Sequence, residues 1–246
     1  MIVESLTPLL SLLDKYETKA TFFVLGTVAE KHPEVIENLH KKGHEIACHA
    51  YSHDTLYKLG PAGFEKEIFK SVELLEKYKP IGFRAPSFSI NNDTKWAFEI
   101  LEKYGFKYDS SIFPIKTMLY GIPNAPTHVY HPNKQDISKH DPSGKIIEFP
   151  LTTVKIGFNF PIAGGFYLRV LPIWFLKWGI KRVNKNRPAI IYLHPWETYK
   201  EIPKFKLPMF SRFEAYHGIS SALFKLEELL KEFKFAPVKE VLANEI

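Results

Sequence analysis

A single cysteine, Cys48, stands among the 246 residues, so an internal disulfide and any cysteine-based zinc cluster are excluded. Its neighbours Ile46 and Ala47 mark it as a small buried strand residue rather than a reactive thiol. Long apolar runs are missing as well. The longest late stretch, 170–176, is interrupted by Pro172 and closed by Lys177, too short to span a bilayer. No basic segment followed by an apolar run opens the chain, so no secretory signal is read and a cytoplasmic location is the default expectation. No internal repeat or low-complexity segment is visible. Nor is there a dense block of one charge. The formal charge of +6 comes from scattered lysines, a weak preference for anionic partners that gives no ground for a nucleic-acid assignment.

What is present fits a globular α/β chain. Hydrophobic residues at 45% and charged residues at 24% suffice for a large core. Aromatics at 15% are high, which points to a thick core or an apolar groove for a ring-shaped ligand. Apolar spacing predicts helices over 3–17, 27–41 (with Val28, Val35, Ile36 and Leu39 inward), 63–78, 172–184 and 220–233. A further helix capped by Asn92-Asp93 is expected to run to Tyr104. Short strands are predicted over 20–25 (buried on both faces), 45–48, 82–86, 146–151, 189–193 and 237–242, with 106–108 leading into Asp109. Residues 118–143, with four prolines, read as an irregular loop insertion, and 163–167 as a turn where Gly165 lets the backbone approach a ligand. The 172–184 helix carries Trp174 and Trp178; burial against the sheet is expected, with contact to a membrane surface as the alternative. One domain over 1–246 is the organisation expected.

Polar residues recur directly after the strands. His49 and His53 are four apart, a spacing that lets two imidazoles converge on one metal ion. If strand C-termini share one face, as in parallel α/β folds, then His49, His53, Arg84, Asp109 and His194 meet at one mouth. Buried charges without partners are costly, so such a cluster favours a metal-assisted hydrolase site.

His49-Ala50-Tyr51-Ser52-His53, Arg84-Ala85-Pro86-Ser87-Phe88-Ser89, Tyr108-Asp109-Ser110-Ser111-Ile112-Phe113-Pro114 and Leu193-His194-Pro195-Trp196-Glu197 stand in the order of the motifs of polysaccharide deacetylases. By these motifs the chain resembles the NodB-like carbohydrate esterases over nearly its whole length. The 163–167 and 192–197 segments resemble in particular the subgroup linked to exopolysaccharide and exosortase systems. The resemblance implies a distorted (β/α) barrel of about seven strands and hydrolysis of N-acetyl groups on an amino-sugar glycan. It implies that His49 and His53 bind a divalent metal, usually zinc, that His194 protonates the departing amine, and that Asp109 orients His194. Arg84 would hold the catalytic base, and Tyr108, Pro86, Ser87, Trp196 and Gly165 would line the substrate side. The implied partner is an N-acetylated glycan.

Two departures qualify that resemblance. Ala50 replaces the hydroxyl residue usual after the first histidine, leaving Ser52 to supply a hydrogen bond. The acidic motif that provides the family's base and third metal ligand has no counterpart before Thr21. The preferred expectation is a preceding segment of roughly 20 to 40 residues, which would also cover the edge of the 20–25 strand. The alternatives are a non-catalytic glycan-binding relative and a hydrolase of small cyclic amides on the same fold.

Overall fold

A computed structural model describes residues 2–117 and 120–246; Met1 and the first two positions of the predicted loop, Met118 and Leu119, lie outside the described residues. In chain order the elements are α1 (Ile2–Lys15), β1 (Thr21–Val24), α2 (Gly26–Lys31), α3 (Pro33–Lys41), β2 (Glu45–Cys48) and α4 (Leu56–Leu75). Next come β3 (Gly82–Phe83), α5 (Ala97–Lys103), β4 (Tyr108–Asp109), β5 (Ile147–Glu148), β6 (Thr153–Lys155) and β7 (Asn159–Pro161). The remainder is helical: α6 (Gly165–Val170), α7 (Ile173–Val183), α8 (Met209–Tyr216), α9 (Ile219–Glu232) and α10 (Val238–Val241). These fall into two compact units, Lys19–Leu151 with Ala236–Ile246, and Met1–Thr18 with Thr152–Phe235.

The first unit is built on a parallel sheet in the order β1-β2-β3-β4-β5. Each strand pairs with the next in sequence, in register Val24 to Cys48, Cys48 to Phe83, Phe83 to Asp109 and Asp109 to Glu148. All five strands therefore end at one edge of the sheet. Beneath them Phe64, Phe83, Phe106 and Trp96 pack edge to face, with ring centroids 5.6–5.9 Å apart.

Several expectations change here. β1 is not buried on both faces: Thr21, Phe22 and Phe23 are half-buried, because β1 is the last strand of its sheet. The single helix expected over 27–41 is two, since Pro33 disfavours helical backbone at His32 (φ −137°, ψ 52°). Of its predicted inward residues, Ile36 and Leu39 are buried, whereas Val28 and Val35 are half-buried. The helix predicted from Asn92 starts at Ala97, because Asn91 Oδ1 accepts from the Asp93 and Thr94 N–H groups and holds a turn instead. Residues 237–242 form no strand. Val238 N–H donates to Thr21 Oγ1 and Lys239 N–H to Glu45 Oε2, and the short apolar run closes into α10.

In the second unit the apolar stripe of α1 buries Leu6, Leu9, Leu12 and Leu13, and Lys15 and Tyr16 both bond Glu227 of α9. β6 and β7 form an antiparallel hairpin. Gly179 lets α7 lie against it, since a Cβ there would sit 2.9 Å from Ile162. The apolar run 189–193 is not a strand; Ile190 N–H donates to the Thr152 hydroxyl, and no ladder forms among the described residues. Trp174 and Trp178 are exposed rather than buried, because the inward side of α7 is taken by Leu176, Gly179, Ile180 and Val183. α8 was not anticipated, and none of its residues is buried. No helix of the described residues is long and apolar enough to cross a membrane.

Candidate active site

His49 and His53 sit on the turn that follows β2. Ala50 (φ 58°) and His53 (φ 74°) hold left-handed backbone without being glycine, a conformation that persists only where the surroundings impose it. Those surroundings are specific. The Gly26 and Thr27 N–H groups bind the Ala50 and Tyr51 carbonyls. The Glu67 carboxylate on α4 accepts from the Tyr51 and Ser52 N–H groups and from the Ser52 hydroxyl. The Ser52 hydroxyl thus serves the turn itself, and Glu67 is a residue that motif reading missed.

His49 Nδ1 lies 2.6 Å from the Arg84 carbonyl oxygen, so Nδ1–H donates and Nε2 carries the lone pair. The His49 and His53 ring centroids are 5.2 Å apart. Two imidazoles on one tetrahedral ion have centroids about 5 Å apart, given N–metal bonds near ~2 Å, so the pair fits two positions of a divalent cation. Among the described residues no group of three His, Cys, Asp or Glu side chains converges to complete such a set. Cys48, fully buried beside them, has its thiol pushed up to about 12 by burial and stays inert.

Arg84, after β3, is buried with its guanidinium 4.2 Å from the centroid of Phe23. Its Nε and Nη2 donate to the Ser110 carbonyl and hydroxyl, both at 2.7 Å. The neighbouring Ser111 hydroxyl donates to Asp109 Oδ1 at 2.6 Å and accepts from the Ala85 N–H. Asp109 and Glu148, register partners on β4 and β5, are both fully buried. Glu148 Oε1 accepts from the Ile112 N–H, while Asp109 Oδ2 and Glu148 Oε2 find no partner as two carboxylates. Burial raises both carboxyls, and the Asp109 charge lifts Glu148 further. A proton held on Glu148 and donated to Asp109 satisfies both oxygens. A lone acid in the apolar run Ile146-Ile147-Glu148-Phe149 was the available sequence signal.

Tyr108 cannot present its side chain to a substrate at these strand ends. It starts β4, is fully buried, and donates its hydroxyl to Glu45, the first residue of β2, at the opposite edge of the sheet. Pro86 is buried, its carbonyl taken by the Ser89 hydroxyl, whereas Ser87 is exposed on a left-handed turn (φ 51°).

His194 belongs to the second unit. Its Nδ1 is 3.1 Å from Glu197 Oε2, which also accepts the His194 N–H, and its ring stacks on Trp196. The orienting carboxylate expected from Asp109 is supplied at His194 by Glu197, three residues on. Glu197 is buried and paired with buried Arg169 at 3.1 Å; Arg169 also donates to the Glu214 and His217 carbonyls. Burial pushes the Glu197 carboxyl up, but bonds from His194 and the Arg169 charge outweigh it and hold the pKa below the ordinary value. The close approach at Gly165 is made by this carboxylate and not by a ligand, since a Cβ there would collide with Glu197.

Comparison with known proteins bears on the fold and the family. The sequence model of the polysaccharide deacetylases matches residues 2–108, and that of a domain of unknown function (DUF3473) matches 110–243. A peptidoglycan-N-acetylglucosamine deacetylase of Bacillus cereus is 38% identical over 95 residues, 37% of this chain and 34% of that protein. A peptidoglycan deacetylase of Helicobacter pylori is 36% identical over 107 residues, 42% of this chain and 36% of that protein. The matched part thus spans about a third of the length of these relatives. A Mycobacterium smegmatis protein assigned to the polysaccharide deacetylases superposes with a TM-score of 0.66 at 21% identity, covering 98% of this chain and 76% of that one. An allantoinase superposes at 0.62 with 15% identity, covering 98% and 71%. The fold is the α/β, distorted (β/α) barrel type of these structures. On its motifs, its sheet and these matches, the chain carries a polysaccharide deacetylase domain over residues 2–108 and belongs, by its longer match over 110–243, to the family of the domain of unknown function DUF3473.

Proposed function

We propose that this protein removes N-acetyl groups from an amino-sugar glycan, with a divalent cation, zinc by preference, held by His49 and His53. The observation that carries the reading is the His49 Nδ1–Arg84 carbonyl bond, which fixes the tautomer a ligand imidazole needs, with His53 one turn away. When bound, the cation supplies polarisation of the acetyl carbonyl and acidification of a water. Arg84, anchored on Ser110, contributes a fixed positive charge at the strand ends. Asp109, through Ser111, holds the backbone that carries Arg84. His194, its Nδ1–H on Glu197, gives a proton from Nε2 to the departing amine, and Glu197 holds the ring in orientation for that transfer. Ser87, exposed on its turn, and Trp196, stacked on His194, contact the sugar; buried Pro86 shapes the turn that presents Ser87. The exopolysaccharide-linked resemblance favours a secreted or lipid-linked bacterial glycan as the substrate class. We take residues 1–246 as one functional domain; their two units are interleaved in sequence, and a single cooperative unfolding transition is expected.

The test is acetate release from N-acetylglucosamine oligomers, run beside a cyclic-amide substrate. Release from the oligomers alone supports the reading, and cleavage of the amide alone replaces it. Zinc content, measured on the purified protein, should fall on His49→Ala; unchanged content refutes the ligand assignment. Glycan binding with no acetate released would make the protein a non-catalytic binder.

A further inference from the structure

No aspartate or glutamate stands between Glu148 and Glu197, while seven lysines and arginines do. The chain as a whole carries 27 acidic residues against 33 basic ones, so this segment departs sharply from the balance elsewhere. The same segment forms the β6–β7 hairpin and α7, and it carries a continuous aromatic face. Phe158 at the hairpin tip is 61% exposed, Trp174 68% and Trp178 40%. Their rings are linked through half-buried Phe160 and Phe175: Phe158 to Phe160 at 6.1 Å, Phe160 to Phe175 at 5.5 Å, and Phe175 to Trp174 and Trp178 at 5.7 and 5.3 Å.

The geometry follows from the helix period. Positions 174, 178, 182 and 185 lie along the outer side of α7 and its continuation, opposite the buried Leu176, Ile180 and Val183. Aromatic rings therefore occupy one end of that side and cations the other. Arg182 stands 5.8 Å from the Trp178 ring, and Lys155 flanks the hairpin tip. Lys177 and Lys181 are already paired with Glu228 and Glu232 of α9. Lys155, Arg182 and Lys185 form no ion pair among the described residues, leaving their charge to a partner outside the chain.

We propose that this face docks on a bilayer surface containing anionic lipid headgroups. Trp and Phe that project from a rigid hairpin and helix, with cations at their rim, match the interfacial layer, where rings sit at headgroup depth and each nearby Lys or Arg adds attraction. A neutral acetylated sugar would use the rings but leave the acid-free charge unexplained. The second exposed apolar stretch, α8 with Met209 and Phe210, lies among Glu201 and Glu214 as well as lysines, so charge selects no partner for it.

The experiment is flotation of the purified chain with vesicles of phosphatidylcholine alone and with about a third phosphatidylglycerol. Binding is expected only to the anionic vesicles, with a blue shift of tryptophan emission and release as salt is raised. Phe158→Ser with Trp174→Ala should abolish it, and Arg182→Gln and Lys185→Gln should each weaken it about fivefold. Met209→Ser with Phe210→Ser should leave it intact, and circular dichroism checks that every variant is folded. Failure to bind anionic vesicles, equal binding to neutral ones, or indifference to the Phe158–Trp174 variant overturns the proposal. So does a concentration-dependent dimer, or a saturable complex with N-acetylglucosamine oligomers, that disappears on Trp174→Ala, since either gives the face to another occupant.

Discussion

His49 and His194 are the same side chain in two settings. His49 donates its Nδ1 proton to the neutral Arg84 carbonyl, whereas His194 faces a buried carboxylate that is itself tied to Arg169. A carbonyl fixes the tautomer while adding no charge, which suits an imidazole that shares a lone pair and stays neutral. A buried carboxylate accepts from the ring and fixes its orientation with a charge of its own beside it. The partner, and not the histidine, separates the two settings.

The strongest way to break that contrast is Glu197→Ala. It leaves the Arg169 guanidinium buried without its counter-ion, and a loss of about 3–5 kcal/mol is expected, seen as a melting point lower by about 10 °C. An unmoved melting curve would remove the ion pair from the account. Glu197→Gln keeps the shape and loses the charge, so acetate release should fall with the fold largely retained.

Next is the Asp109–Glu148 pair. Glu148→Ala strands the Ile112 N–H and an Asp109 oxygen, for an expected cost of about 2–4 kcal/mol. Because Glu148 has a raised pKa in the folded state, the folded chain binds the extra proton. Its contribution to stability is complete below the ordinary glutamate range and is lost as pH rises through the folded-state pKa. Glu148→Gln mimics the protonated form, so its melting point should match the parent at low pH and exceed it at high pH; a pH-independent difference would deny the shared proton.

A smaller effect is expected from Glu67→Ala, which releases the turn bearing His49 and His53. About 1–2 kcal/mol of stability should go, along with part of the zinc content, and equal zinc in both proteins would show that the turn holds without it. The smallest is Tyr108→Phe, about 1 kcal/mol, with acetate release unchanged. A lost activity there would restore Tyr108 to the substrate side.

The contrast between the two histidines was only half legible in the sequence. The His49–His53 spacing, the strand at 45–48 and the long helices near 172–184 and 220–233 follow from period and punctuation alone, and the structure has them. Glu197 and Glu148 were visible as letters, yet their partners come from distant positions: Arg169 is 28 residues away from Glu197, and Asp109 is brought beside Glu148 only by parallel pairing. Short apolar runs misled for a related reason. The segments 189–193 and 237–242 have strand-like composition, but a strand exists only where a neighbour supplies the ladder, and composition does not announce neighbours. The outward turn of Trp174 and Trp178 likewise depended on which side of α7 met the hairpin.

The order of manufacture gives α1 a further significance. It is made long before its partners, since Lys15 and Tyr16 close on Glu227, 212 and 211 residues later. Until residues 195–198 and then α9 have been synthesised, the leucine stripe of α1 lacks its native cover. Residues 19–151, the larger part of the first unit, are made in the interval. Residues 2–15 therefore form a nascent-chain liability, an apolar helix that a holding chaperone would recognise early and release late, and closure of its unit is expected to be the slow step of biogenesis.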